Sequence, residues 1–150
     1  MKKIRLNTLT KNLFLLFLTI MILPSFDSYA KKFSFLSSSV VPAARGYVKV
    51  KRDNNKNYII QVQVSNLAEV NRLQPSKHAY VIWMITDQEI TKNIGQLNSS
   101  TTFLSTKLKA YYETASSSKP IKIFITAEDD AGTQSPNEQV ILSTDRFFLD

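Results

Sequence analysis

Between residues 46 and 143 apolar side chains recur at every second position in short runs broken by clusters of Asp, Asn, Ser, Pro and Gly, and that period decides the class of fold. In "GYVKVKR" Val48 and Val50 point one way while Lys49 and Lys51 point the other, the signature of a half-buried strand. In "YIIQVQVSNL" Ile60, Val62 and Val64 share a face opposite Gln61 and Gln63. The "DNNKN" between these runs is a turn cluster, so the two form a hairpin. Residues 68–79, with Pro75, make a connection long enough to cross from one sheet to another. The run that follows, "YVIWMIT", is apolar on both faces. It therefore reads as a central strand covered on both sides, or on one side by a partner.

Further strands are expected at "NIGQLN" around Gly95, at "TTFLSTKLKA" with Leu104 and Leu108 inward, at "IKIFITAEDD" with Ile121, Ile123, Ile125 and Ala127 on one face, and at "EQVILS". "YYETASSSKP" (residues 111–120) reads as a polar connection, and "SNLAEVNRL" allows a short helix. About seven strands in roughly 100 residues predict an all-β fold, an antiparallel immunoglobulin-like β-sandwich over residues 46–150. Its expected core is Trp83, Val81, Ile85, Val62, Val64, Ile123, Ile125, Leu104 and Leu108. Residues 31–45, with a triple serine and Pro42, read as a linker or edge segment.

The first thirty residues have another texture. Lys2, Lys3, Arg5 and Lys11 precede the apolar run "LFLLFLTIMIL", and Ser28 and Ala30 close the segment. That order is the one found in secretory signal peptides, with cleavage expected after Ala30. A run of eleven residues falls short of the roughly 20 that a membrane helix needs. The expected product is exported, periplasmic or extracellular, with no integral membrane span in the mature chain. The formal charge of +7 includes four basic residues and one acid of this segment, which leaves +4 for residues 31–150. Spread along strands, that charge describes a solvated face better than a nucleic-acid groove, and export also argues against nucleic acid. Zero cysteines exclude disulfides, cysteine-based zinc or iron–sulfur sites and thiol catalysis.

The segments "AYVIWMIT", "NIGQLN", "IFITAEDDAGTQSP" and "EQVILS" resemble, in order and spacing, the C-terminal extracytoplasmic domain of anti-sigma-K-type anti-sigma factors. The resemblance covers roughly residues 46–143. It implies a β-sandwich of that family, here as a stand-alone exported domain, and nothing catalytic.

Chemistry-bearing residues are sparse. His78 is the lone histidine, and no G-x-S-x-G turn accompanies it. Glu128, Asp129 and Asp130 are adjacent along a strand and so point to alternate faces, which suits a turn better than a calcium site. Glu113 and Glu128 are a conceivable carboxylate pair whose separation only a structure can give. No catalytic residue, metal site or cofactor is implied. Ile82 and Met84, with Phe124 and the later Phe147 and Phe148, would form an apolar outer patch if they share a surface, and such patches mark partner surfaces. The leading expectation is a non-catalytic protein-interaction or sensory module that meets an envelope protein. The alternative is a small-ligand or polysaccharide-binding module using exposed aromatics such as Tyr80, Tyr111 and Tyr112.

Overall fold

The computed structural model describes residues 29–100 and 109–149. Among them the chain forms β1 (Lys31–Ser34), β2 (Arg45–Arg52), β3 (Tyr58–Ser65), β4 (Ala79–Thr86), β5 (Thr91–Leu97), a two-residue β6 (Ser99–Ser100), β7 (Lys109–Ser116), β8 (Pro120–Glu128) and β9 (Val140–Ser143). All pairings are antiparallel, and the strands make two sheets ordered β1-β2-β3-β7-β6 and β5-β4-β8-β9. With β2 to β9 taken as A, B, C, C′, D, E, F and G, these are the A-B-E-D and C′-C-F-G orders of an immunoglobulin-type sandwich. The expected class holds. The strand count does not: eight strands of four or more residues are present instead of seven.

Two strands account for the difference from the expectation. Residues 31–45, read as a linker or edge segment, begin with β1, which pairs with β2 at the edge of the first sheet, so the sheet extends from Lys31 where the expected sandwich began at Gly46. Four residues are too few to show a period. Residues 111–116, expected as a connection, lie in β7, on the side of β3 away from β1 and β2, paired with β3 from Tyr58↔Ser116 to Ser65↔Lys109. Its inward positions are Ala110, Tyr112, Thr114 and Ser116, mostly small or polar, so its alternation carries little apolar contrast. The segment "TTFLSTK", and with it Leu104 and Leu108, falls outside the described residues. The short helix considered at residues 65–73 is a single 3-10 turn, Val70–Arg72, within a connection that buries Leu67 and Leu73 over one end of the core.

The faces of β4 are the reverse of the expected ones. Tyr80, Ile82 and Met84 point between the sheets and are fully buried with Val62, Val64, Ile123 and Ile125. Register explains this: Ile82 is opposite Ile125, and Met84 opposite Ile123. Directly opposed residues point to one side of a sheet, so the isoleucines of β8 carry Ile82 and Met84 inward. Ile82 and Met84 are therefore no outer patch. Val81 and Trp83 face outward, yet both are fully buried, because the β8–β9 connection lies over them. Ile85, on the same face, is half-buried. Phe124, the third expected patch residue, sits opposite Trp83 and stacks on it with ring centroids 6.3 Å apart. The three patch residues thus divide between the two faces of one sheet.

Two contacts close the sandwich along its sides. On one side Tyr112 of β7 reaches across to β5, where its hydroxyl donates to the Ile94 carbonyl. The β4–β5 register shifts there, between Ile82/Trp83, and Gly95 takes φ 142°. A Cβ on Gly95 would lie 2.1 Å from the Tyr112 hydroxyl, so both the backbone angle and the close ring demand glycine. On the other side the chain leaving β1 crosses to the second sheet: the Leu36 amide donates to the Ser143 carbonyl at 2.8 Å, Phe35 bridges Thr144, and Phe33 stacks on Phe147 at 4.0 Å. Phe147 is buried by this contact while Phe148 stays exposed. No helix among the described residues is long and apolar enough to cross a membrane.

Candidate functional site

Alternation along β1, β2, β3 and β7 sends one residue in two away from the core, and side-by-side pairing turns those residues into a continuous outer face. Ser34, Tyr47, Gln63 and Tyr111 lie level across the four strands. The next level holds Lys32, Lys49, Gln61 and Glu113. Arg45, Ser65 and Lys109 form one end, and Lys51, Ile59 and Ala115 the other. The face is mostly polar, and its charged groups are five cations and the carboxylate of Glu113.

Its side chains are already organised. The Tyr47 hydroxyl donates to Gln63 Oε1. Over the same ring stand the ammonium groups of Lys32, at 4.0 Å from the centroid, and Lys49, at 5.6 Å. Glu113 Oε2 accepts from the Tyr111 hydroxyl at 2.7 Å and from Gln61 Nε2 at 2.6 Å. Those two bonds, Tyr111 first, hold the Glu113 carboxyl below the usual carboxylate range, with Lys51 adding to the effect. Glu113 in turn pushes the Tyr111 phenol up. Tyr111 is 59% exposed, the most open ring of the face. At the Arg45 end a shallow depression of about 470 Å³ is lined by Ser34, Arg45, Tyr47, Gln63, Ser65 and Lys109.

The expected aromatic set divides. Tyr111 is exposed, but Tyr80 is buried and donates to the Ala68 carbonyl, and Tyr112 is spent on closing the sandwich. Tyr47 lies level with Tyr111 on the same face, half-buried beneath the Lys32 ammonium group. A signal for it existed in the residues opposite the valines of "GYVKVKR" and "YIIQVQVSNL", which are Tyr, Lys, Ile and Gln.

The other chemistry-bearing residues are placed as follows. Trp83 Nε1 donates to Thr126 Oγ1 at 2.8 Å, and the Thr126 hydroxyl donates to Glu128 Oε1. Glu128, buried, also accepts from the Asn137 amide at 3.0 Å and from Asn137 Nδ2 at 2.9 Å. Both of its oxygens are bonded to the fold, and the carboxylate pins the β8–β9 connection over Trp83. Asn93 anchors the same connection with Nδ2 bonds of 2.9 Å to the carbonyls of Ala131 and Thr133. His78 is exposed, with Nδ1 3.3 Å from the Asp129 carbonyl. Asp130 caps a turn by accepting from the Gly132 amide. Glu113 and Glu128 lie on the outer faces of opposite sheets and cannot flank one bond. Asp145 follows β9 at the far end of β8 from Asp129. Among the described residues no group of three or more His, Asp or Glu could hold a metal ion. No family model, curated protein or solved structure matches the chain.

Proposed function

We propose that this protein is a non-catalytic binding module of the cell envelope that presents the outer face of β1, β2, β3 and β7 to its ligand. The observation that carries the reading is that face itself, where lysines, glutamines and two tyrosines are held in place by one another, with Lys32, Gln63 and Tyr111 exposed and Tyr47, Lys49 and Gln61 half-buried. An envelope location is supported by the basic, apolar and small residues that follow one another in residues 2–30. Ile82 and Met84 are buried, which moves the candidate surface from the second sheet to the first.

A sensory role like that of the extracytoplasmic half of an anti-sigma factor is the second reading. In its favour, the segments that carry that resemblance fall on β4, β5, β8, β9 and the β8–β9 connection and pack into one unit around Trp83. Binding on the first sheet serves either role.

The test is retention of separated polysaccharide, lipid and protein fractions of the source cell envelope on the purified protein. The expected result is one retained fraction, lost on a Lys49→Glu, Tyr111→Ser double variant that melts normally. Retention indifferent to those substitutions would remove the face from consideration, and breakdown of the retained material would overturn the non-catalytic reading.

A further inference from the structure

We infer that the outer face of the first sheet binds an acidic polysaccharide, an extended glycan bearing carboxylate, sulfate or phosphate groups. This inference rests on the binding-module reading and names its ligand class. Charge is its first support. Lys32, Arg45, Lys49, Lys51 and Lys109 stand on this face against the single carboxylate of Glu113. The rest of residues 31–150 carries ten cations and ten carboxylates, so the whole excess of that stretch is concentrated here. Such a one-sided field attracts a polyanion along its length.

Shape and hydrogen-bonding groups narrow the class. Strands are spaced by about 4.8 Å, so the level from Ser34 to Tyr111 spans roughly 14 Å across the four strands. Between its cations that surface offers amides and hydroxyls from Gln61, Gln63, Ser34 and Ser65, groups that can both give and accept bonds from sugar hydroxyls. Tyr111 supplies an open ring beside them.

Nucleic acid fits less well. Single strands are held by successive stacking rings, whereas the Tyr47 ring is already covered by the Lys32 ammonium group. An anionic membrane also fits less well. Interfacial binding wants large apolar side chains to insert, and the one large aliphatic residue of this face, Ile59, is half-buried.

The experiment measures binding of the purified protein to polygalacturonate, dextran sulfate, neutral dextran, a single-stranded oligonucleotide and phosphatidylglycerol vesicles. Both acidic glycans should bind and neutral dextran should not. Affinity should fall with the logarithm of salt concentration, and removal of each lysine should lower that slope by about one, as for other polyelectrolytes. A Lys32→Glu, Lys49→Glu variant should lose at least about tenfold in affinity, whereas Lys119→Glu, Lys122→Glu, the same charge change at and beside β8, should keep the original value. Equal loss in both variants would overturn the inference, because it would show plain ion exchange. Tighter binding to the oligonucleotide or the vesicles would also overturn it and assign the face to that polymer or surface. Retention of neutral dextran alone would defeat the acidic part while leaving a glycan-binding module. No binding to any probe, in a protein that still retains one envelope fraction, would defeat the ligand class and not the module.

Discussion

Trp83 and Tyr80 are neighbours on β4 that point to opposite faces, and each settles its polar atom differently. The indole N–H of Trp83 depends on the Thr126 hydroxyl, which also donates to the buried Glu128 carboxylate. Thr126→Val keeps the shape, strands the buried indole N–H and takes from Glu128 one of the three bonds it accepts, so we expect a loss of about 1–3 kcal/mol in denaturant melts followed by Trp83 fluorescence, most of it restored in Thr126→Ser. A change below about 0.5 kcal/mol would show that the hydroxyl does not hold this network. Burial pushes the Tyr80 phenol up to about 12. The unfolded chain ionises the same group near 10, so between those values the unfolded state holds fewer protons than the folded one. The Tyr80 contribution to stability is therefore fully present below about pH 10 and is lost as pH rises through the interval to about 12. In Tyr80→Phe that alkaline slope should flatten; an unchanged slope would move the responsible ionisation elsewhere. Which residues alternate was legible in the sequence. Which side of β4 meets the other sheet was not, since Tyr80, Ile82 and Met84 are as apolar as Val81, Trp83 and Ile85. Pairing with β8 makes the choice, and pairing between distant strands leaves no local trace.

At the scale of elements, β2, β3, β4 and β8 announced themselves because one or both faces are runs of apolar residues. β7 did not, because its partners supply the hydrophobicity that its own inward Thr114 and Ser116 lack. The candidate site was hidden for a related reason. Its lysines read as the solvated sides of separate strands, and only the β1-β2-β3-β7 order gathers residues more than 70 positions apart onto one surface. The joint between β5 and β7 gives a sharper test of how the elements are held. Gly95→Ala places a methyl group where Tyr112 lies and forces an L-residue to a positive φ. We expect a cost of about 2–4 kcal/mol from backbone strain and a displaced ring together. Pairing this change with Tyr112→Ala would remove the clash and recover part of the loss; strictly additive costs would mean that ring and glycine do not interact.

Taken whole, the molecule separates its tasks by surface. The second sheet spends its outer face on burying Trp83 beneath the β8–β9 connection, and the first sheet leaves its outer face open and charged. The crossing from β1 to the edge of β9 gives the molecule a further property. Residues 31–36 run antiparallel beside residues 143–147, with Phe33 on Phe147 and Leu36 bonded to Ser143, so the two ends of the described chain emerge at the same end of the sandwich. Tyr29, Lys31 and Leu149 line one small cavity there. Pulling residues 29 and 149 apart would therefore load this seam one contact at a time, as a zipper is opened, and would not shear its bonds together. In a single-molecule stretching experiment the ring pair should part first and at low force, with the two sheets yielding only afterwards; a tether gripping both ends meets this seam before it meets either sheet.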